Sequence, residues 1–431
     1  MAEIVPIKGL RYNPKMVAHL EEVTTPPYDV IGPEAQNRFY EQHPYNIIRL
    51  ELGKTYPDDD TDNNRYTRAS EIFKQWQRDG ILVQDSTPSL YLYRQEFSIN
   101  GNTYNRTGFI TGLKCVDYGR GEVLPHEETL PKAKTDRKLL LESCQANFSP
   151  IFGLYDEEEK SSQKLLLKVC QSKEPDCTVS DSTGVIHRLW AVTDIDVINK
   201  VQKNLFAKTI YIADGHHRYE TALKHAEEMK AKGHDGYGHI MITLVNLHDD
   251  GLIILPTHRM IKNTSAEDLT RLLAESNKYF IIEKVAADAG ALEDRLNETS
   301  KSAFAIYAGG DQAYFLTLRP DCYPETLYGL DKSLHWRKLD VAILHSMLLE
   351  NVLGLGSAER ASGDFITYTR NGKDTIDKVK NGDFCFSVLM RPTQVEQVTD
   401  VAGAGDKMPQ KSTYFYPKLI TGLVINPLGS K

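Results

Sequence analysis

The chain has few cysteines for its size, and no two of them form a C-x-x-C pair. Its six cysteines are scattered over 431 residues, which is typical of reduced, mostly buried thiols and not of a disulfide framework. The sequence also has no apolar run near the ~18 residues that a membrane-spanning helix needs. It begins without a basic segment followed by an apolar one, so we expect no secretory signal. These absences predict a cytoplasmic protein without a membrane partner.

The chain also has no excess of basic residues. The chain has 51 Lys and Arg residues against 59 Asp and Glu residues, for a formal net charge of -8. Such a balance works against binding to nucleic acid, which depends on neutralising phosphates. Hydrophobic residues make up 41% and charged residues 26% of the chain, as in an ordinary globular protein. The sequence carries no signal for an oligomeric state.

The length exceeds what one hydrophobic core usually holds, and no internal repeat divides it. We predict three consecutive segments. Residues 1–155 form an N-terminal α/β lobe that contributes cleft motifs, and residues 156–330 form a central lobe with a phosphate-binding motif. Residues 331–431 carry a lysine-rich loop that closes the cleft.

Helical and hairpin patterns alternate along the chain. Asn100-Gly101 predicts a tight turn between strands at 89–99 and 103–116, and Asp249-Asp250-Gly251 predicts a second hairpin between 238–247 and 252–255. Helices are predicted at 33–42, 63–78, 130–143, 157–171, 216–232, 266–276, 289–298 and 339–353. Hairpins mixed with helices favour an α+β fold, with mixed sheets and flanking helices, over a doubly wound parallel sheet.

The segment with the densest chemistry is Asp214-Gly215-His216-His217-Arg218. It follows a β-branched run and precedes a helical one, which predicts a strand, a tight turn and a helix N-terminus. Such an N-terminus favours an anion, and Arg218 offers a fork suited to phosphate. His216 and His217 suit proton transfer or phosphate binding, and Asp214 suits Mg²⁺ binding or general-base catalysis. A surface ion cluster that caps the helix, or a transition-metal site with Glu220, remains an alternative.

A second candidate is the C-terminal lysine-rich loop. It combines flexible glycines with two hydroxyls and several lysines, and it lacks the spacing of a P-loop. The residues that we assign to phosphate or substrate binding here are Lys407, Lys411, Ser412 and Thr413. An exposed basic loop without a ligand is the alternative.

Three further groups of residues place polar side chains on a backbone whose conformation is restricted. Together they predict a polar cleft assembled from distant segments, although each alone is compatible with a structural role. The residues assigned to substrate binding in them are Asn46, Arg49, His126, Glu127, Lys134, Arg137, His258 and Arg259.

Six of these segments together resemble the family known as domain of unknown function ten-fifteen. They are PPYDVI (26–31), HPYNIIRLE (43–51), PHEETLPKAKTDR (125–137), YIADGHHRYETA (211–222), LPTHR (255–259) and MPQKSTYFYPKL (408–419). They occur in the family's order, and the resemblance spans nearly the whole chain. In bacteria, members of the family are encoded beside phosphoglycerate dehydrogenase and phosphoserine aminotransferase, which implies a role in the step from phosphoserine to serine.

The D-G-H-H-R segment is also similar to the motif of the ParB/sulfiredoxin-like superfamily, especially its free-serine kinases. That resemblance implies a strand-turn-helix core in the central region and catalytic roles for Asp214, His216, His217 and Arg218. It implies a phosphoryl-transfer enzyme on a small hydroxyl metabolite, with Mg²⁺ at Asp214 and ATP or ADP as a compatible cofactor. The kinases use an upstream glutamate, for which Glu51 and Glu127 are the candidates.

The expected function is therefore a phosphotransferase or phosphatase acting on a small phosphorylated metabolite, foremost the serine/phosphoserine pair. Two alternatives remain open from the sequence. One is a non-catalytic, nucleotide-binding regulatory protein that uses the phosphate-binding turn as a sensor. The other is a metal-dependent hydrolase.

Overall fold

The computed structural model describes residues 1–129 and 131–429, without the side chain of Lys132. Leu130, where a helix was predicted to begin, lies outside the described residues. By contacts between Cα atoms, the chain groups into two compact units. Unit 1 comprises Met1–Pro125, Thr129–Ile253 and Pro417–Lys431, and unit 2 comprises His126–Glu128 and Ile254–Tyr416. The three consecutive segments with separate roles stay a prediction, since a grouping by contacts does not test roles.

The strands, in chain order, are β1 Ile4–Val5, β2 Leu10–Tyr12, β3 Leu82–Gln84, β4 Leu90–Ile99, β5 Asn102–Lys114, β6 Val123–Leu124, β7 Ala146–Asn147, β8 Ile151–Tyr155, β9 Cys177–Ser180, β10 Ile186–Val192, β11 Ile210–Asp214, β12 His239–Asn246, β13 Ile253–Ile254, β14 His258–Ile261, β15 Phe280–Ala286, β16 Ala303–Tyr307, β17 Gln312–Leu318, β18 Ile366–Thr369, β19 Phe386–Leu389, β20 Phe415–Tyr416 and β21 Asn426–Pro427.

The α-helices are α1 Pro33–Gln42, α2 Ile48–Glu51, α3 Arg65–Arg78, α4 Pro131–Cys144, α5 Ser161–Ser172, α6 Ile195–Phe206, α7 His216–Ala231, α8 Ala266–Ser276, α9 Ala289–Glu298, α10 Leu334–Arg337, α11 Asp340–Ile343, α12 Asn351–Leu353, α13 Ser357–Ser362, α14 Gly372–Lys380 and α15 Val395–Gly403. A π-helical segment, Leu344–Glu350, joins α11 to α12. In the part of the chain that the structure describes, no helix is both long and apolar enough to cross a membrane.

Unit 1 is built on a mixed sheet. Over the described residues it has nine strands in the order β6-β11-β8-β12-β5-β4-β10-β9, with β1 paired to β5. β11 runs parallel to β6, and β12 runs parallel to β8, while the remaining pairs are antiparallel. A core of buried residues joins this sheet to α6 and α7, with members such as Ile242, Val201 and Tyr219. The position of α7 on the sheet is therefore set by apolar burial.

The two predicted hairpins had different outcomes. β4 and β5 pair around Asn100 and Gly101, whose φ angles of 49° and 80° are those that a tight hairpin turn requires. The second predicted hairpin, between 238–247 and 252–255, is wrong, because β12 pairs with β5 on one side and β8 on the other. Both edges of β12 are thus occupied, so β13 cannot pair with β12.

Unit 2 has an antiparallel sheet, which contains six strands in the described residues, in the order β15-β17-β16-β19-β14-β18. Its core includes Leu296 of α9, Phe315 of β17 and Ile376 of α14. The helix predicted at 339–353 is present as α11, the π-helical segment and α12. Mixed sheets with hairpins and flanking helices confirm the predicted α+β class.

Candidate functional site

The central motif forms the predicted strand, turn and helix. β11 ends at Asp214, Gly215 is the N-cap, and α7 begins at His216. The register of β11 against β8 shifts between Ile212 and Asp214, an irregularity of the kind that re-aims a side chain beside functional sites. Gly215 has a φ of +93°, and a Cβ there would lie 2.7 Å from a side-chain atom of Ile151. Glycine is therefore required at this turn.

Lys418 is the partner of Asp214. Its Nζ lies 2.5 Å from Oδ2 of Asp214, and the two side chains are 17% and 24% exposed. The backbone around Lys418 is anchored from the sheet of unit 1, because Arg106 donates to the carbonyl of Pro417 and Gln95 donates to that of Lys418. Lys418 belongs to the family motif at 408–419 but was not among the residues predicted for the phosphate site. Only the folded chain brings it from 204 residues away to Asp214.

The electrostatics of Asp214 follow from these neighbours. Burial alone would raise its pKa, but the charges of Lys418, Arg218 and His216 and the hydrogen bond from Lys418 outweigh burial and lower it. Asp214 is thus a carboxylate in the neutral pH range, and it is a weak base. This geometry disfavours the role of general base that the sequence allowed.

Arg218 is held by the two residues that precede β8. Its Nη1 donates to Oγ of Ser149 at 2.9 Å and to the carbonyl of Pro150 at 2.8 Å. Oγ of Ser149 in turn lies 3.1 Å from the carboxylate of Glu51, which Arg137 contacts at 3.0 Å. Glu51 is 3% exposed, and its contact with Ser149 connects it to the position of Arg218; which glutamate, Glu51 or Glu127, corresponds to that of the kinases stays a prediction.

Arg137 was predicted to bind substrate. It is 5% exposed, donates to the backbone and side chain of Glu51, and stacks on the ring of Tyr28 at 3.8 Å. The guanidinium of Arg218 lies 5.9 Å from the same ring. The structure therefore places Arg137 beside Arg218 as a supporting group, a partner that the sequence did not reveal.

The two histidines of the motif face different surroundings. His216 is 3% exposed, whereas His217 is half-buried. Burial lowers the pKa of His217, with the charge of Lys134 acting in the same direction and that of Glu220 opposing it. Lys134 lies 3.1 Å from Oε2 of Glu220, and Thr129 donates to the same oxygen at 2.6 Å. Lys134 therefore lies near the motif through Glu220, and its predicted role in substrate binding stays a prediction.

Asn46 and Arg49, also assigned to substrate binding, make local contacts in unit 1. Asn46 is fully buried; its amide donates to the carbonyl of Glu22 and its oxygen accepts from the backbone of Ile48. Arg49 donates to the carbonyl of Tyr40 and stacks on its ring at 4.4 Å. The structure shows them in structural roles, and their binding role stays a prediction.

Unit 2 brings together a different set of predicted residues. His126 contacts Oγ1 of Thr413 at 3.0 Å and accepts at its carbonyl from the backbone of Met408. Glu127 forms a β-bridge with Met408. Ser412 donates to the carbonyl of Pro409 and accepts at its own carbonyl from Thr393. The PHEE segment and the lysine-rich loop are thus neighbours, which the sequence did not predict.

His258 and Arg259 lie in β14 of unit 2 and are 0% and 1% exposed. His258 contacts Glu293 at 3.0 Å and accepts from the backbone of Met390. Arg259 donates to the carbonyl of Lys411 at 3.1 Å. Both side chains are inside the unit, so the contacts that they make hold the backbone, and phosphate binding by them stays a prediction.

The residues around Asp214 do not fit a metal ion. Two cations, Lys418 and Arg218, lower its pKa through their charges, and a divalent ion would meet their repulsion. In the described chain, one group of three side chains could hold a metal: Glu142, His225 and Glu228. Lys138 already contacts both of these carboxylates, at 3.5 and 2.7 Å, so this group is an ion-pair cluster between α4 and α7.

Comparison with family models decides the membership of the chain. The model described as "Protein of unknown function (DUF1015)" matches residues 4–342. The chain belongs to the DUF1015 family. The resemblance inferred from the six motifs is confirmed. No curated protein matches the chain significantly.

Solved structures resemble this DUF1015 chain distantly. A free serine kinase in complex with AMP matches at 12% identity and a TM-score of 0.37, over 71% of this chain and 88% of that one. A conserved hypothetical protein from Pyrococcus furiosus matches at 13% identity and 0.35, over 71% and 92%. Truncated SbnI from Staphylococcus aureus matches at 10% identity and 0.36, over 74% and 87%. At this level the matches carry no conclusion about activity.

Proposed function

We propose that the Asp214–Arg218 turn binds a phosphate group and that the protein transfers a phosphoryl group to or from a small hydroxyl metabolite. The observation that carries this proposal is the arrangement of charge at the turn. An ionised carboxylate, a lysine 2.5 Å from it and an arginine in the same turn lie at the N-terminus of a 16-residue helix. Phosphoryl transfer needs such positioning and charge neutralisation more than covalent chemistry.

The backbone supplies the first part of the phosphate site. The first turn of an α-helix presents N–H groups that the helix itself does not use, and its dipole favours negative charge there. Gly215 has no side chain to cap these groups. A Cβ at this position would also lie 3.0 Å from Nη2 of Arg218. The glycine therefore keeps both the backbone and the arginine accessible.

Arg218 supplies the fixed charge. Nη1 is held by Ser149 and Pro150, while Nε is buried without a hydrogen-bond partner in the described chain. A guanidinium oriented in this way loses little freedom when it binds, and it stays charged at every physiological pH. Arg218 is therefore proposed to neutralise the charge that develops on the transferred group.

Proton transfer is assigned to His217. Its lowered pKa keeps the imidazole neutral at pH 7, where it can accept the proton of an attacking hydroxyl. In the opposite direction, the protonated ring would donate to the leaving oxygen. Asp214, paired with Lys418, is proposed to orient the turn, and no step is assigned to a metal.

The serine/phosphoserine pair is the substrate that the family resemblance implies, and the assay must distinguish ADP from water as the acceptor. Purified full-length protein is incubated with phosphoserine, with and without ADP and Mg²⁺, while inorganic phosphate, ATP and serine are measured. Release of phosphate identifies a phosphatase, and formation of ATP identifies the reverse reaction of a kinase. His217→Ala and Arg218→Ala should each lower turnover by about 100-fold or more while circular dichroism shows a folded protein.

The same assay separates the alternatives. Nucleotide binding by calorimetry without any turnover would replace the proposal with a regulatory sensor. Activity that requires added Zn²⁺ and is unaffected by Arg218→Ala would replace it with a metal-dependent hydrolase. Wild-type turnover in both the His217→Ala and the Arg218→Ala variant would refute the site itself.

A further inference from the structure

Unit 2 contains a pocket of about 220 Å³ that the proposed function does not use. It lies between the π-helical segment, α13 and the lysine-rich loop. Its charged and aromatic lining includes His345, Arg360, Lys407, Lys332, Trp336 and Tyr368. A concave site with a few convergent polar groups is the usual form of a small-molecule site, and a π-helical turn often marks a functional one.

The cations of the pocket keep donors for a ligand. Lys407 forms no ion pair or side-chain hydrogen bond within residues 1–129 and 131–429. Arg360 uses Nη1 for the carbonyl of Leu355 at 2.7 Å and lies 3.5 Å from Glu350. Lys332 reaches Asp406 only at 3.9 Å. Three cationic side chains therefore line the pocket. Its acidic lining residues are two, Glu128 and Glu350.

His345 provides the second, independent observation. It is 3% exposed, lines the pocket, and its Nδ1 is buried with no hydrogen-bond partner in the described part of the chain. Nε2 lies 3.4 Å from Nη2 of Arg259. Because a guanidinium only donates, Nε2 must accept, and the proton of the neutral ring lies on Nδ1.

The charge state of this ring follows from its surroundings. Burial and the nearby charges of Arg259 and Arg360 hold the pKa of His345 well below its ordinary value. The ring is therefore neutral at pH 7, with one N–H donor that has no acceptor among the residues described by the structure. A buried donor left without a partner is costly, and an acceptor atom of a ligand would satisfy it.

We infer that this pocket is a second anion-binding site, for a small phosphorylated metabolite, in which Arg360 and Lys407 bind the phosphate and Nδ1 of His345 donates a hydrogen bond to it. A dianion with three free oxygens matches two cations and one neutral donor better than a carboxylate with two oxygens does. The volume suits a small ester and not an extended polymer. Every residue of this site belongs to unit 2.

The test uses Trp336 as a reporter in the full-length protein. The chain has three tryptophans, and the other two, Trp76 and Trp190, are buried in unit 1 at 4% and 3% exposure. Titration with inorganic phosphate should change the tryptophan fluorescence, and Trp336→Phe should remove that change while calorimetry still detects binding. Lys407→Gln and Arg360→Gln should each weaken the fluorescence-detected affinity about tenfold, as expected for a lost charged hydrogen bond.

Matched controls separate this site from the Asp214 turn. Lys373→Gln removes an exposed lysine elsewhere in unit 2 and should leave the fluorescence titration unchanged, as should Arg218→Ala. If Arg360→Gln fails to fold, Lys407→Gln decides, because the ammonium of Lys407 makes no ion pair or hydrogen bond with the described residues. An unchanged affinity in Lys407→Gln, a signal abolished by Arg218→Ala, or acetate binding as tightly as phosphate would overturn the inference.

Discussion

Two segments of this protein, at Arg218 and at Arg259, were both assigned to ligand binding from the sequence, and the structure shows them in different surroundings. The turn at Gly215 in unit 1 presents a partly exposed Arg218 beside an ionised Asp214. In unit 2, Arg259 is 1% exposed and donates to the backbone of Lys411. Both arginines directly follow a histidine in the sequence. The two arginines therefore differ in burial: the side chain of Arg218 keeps contact with solvent, whereas that of Arg259 is enclosed within unit 2.

The largest expected effect in this comparison is the loss of turnover when Arg218 is replaced. Arg218→Ala should lower turnover by about 100-fold or more, since it removes a positioned donor from the transferred group. Arg49→Ala removes another predicted arginine of unit 1, whose contacts are with Tyr40, and turnover should stay near the wild-type value. Steady-state kinetics of both variants measure the difference. Equal losses in the two would contradict the separation.

The backbone offers the next test, because the turn at Gly215 and the lysine-rich loop that Arg259 contacts each contain a residue in the left-handed conformation. Gly215 has a φ of +93° and Lys411 a φ of 60°. Gly215→Ala should lower the free energy of unfolding by about 2 kcal/mol, through backbone strain and the contact with Ile151. Lys411→Gly should be neutral or slightly stabilising, because glycine adopts this φ without strain. Urea unfolding measures both changes, and a reversed order would show that the turn is less constrained than its geometry indicates.

A smaller effect is expected at the ion pair of the turn. Lys418→Gln should lower stability at pH 7 by about 1 to 2 kcal/mol, since it leaves a partly buried carboxylate without its cation. Because Asp214 has a lowered pKa in the folded state, its contribution is present above the pKa of an unfolded aspartate, about 3.9. It is lost as the pH falls towards the folded value.

The difference between wild type and Lys418→Gln should therefore shrink below about pH 4. Unfolding curves at pH 7 and pH 3 provide the measurement. A difference that stays constant with pH would mean that Lys418 acts through packing and not through its charge on Asp214.

The smallest expected effect is a shift in a pH profile. Burial lowers the pKa of His217, so a step that needs its neutral form should persist on acidification past the ordinary histidine value of about 6.5. The acidic limb of kcat should therefore have its midpoint below 6.5. His217→Asn should remove this limb along with most of the activity. A midpoint above the ordinary value would assign the limb to another group.

Local patterns were sufficient for most single elements. Asn100-Gly101 predicted its hairpin because only a few dipeptides adopt that turn, and α1, α8 and α9 occupy the predicted ranges. The pairing of β12 was not predictable from its neighbours, because its partners β5 and β8 come from distant parts of the chain. The pattern of a strand shows that it pairs, but not with which strand.

The same limit applies to the candidate site, because the sequence does not show which distant residues contact each other there. Residue types and spacing marked the Asp214 turn, because glycine, arginine and two histidines at a strand-to-helix junction have a chemistry of their own. Nothing local marked Lys418 or Ser149 as their partners. His258 and Arg259 were also assigned to substrate binding from the sequence, yet β14 has a neighbouring strand on each side in the sheet of unit 2, and their side chains are buried there.

The sequence by itself determined the α+β class, the family and the strand-turn-helix at Gly215, because these depend on short patterns and on backbone conformations that few residues allow. Only the tertiary structure decided which cations meet which acceptors. Packing brings Lys418 to Asp214 and turns Arg259 inward. The reason is physical: the electrostatic role of a side chain depends on its distance to other charges and on its exposure to water, and the fold sets both.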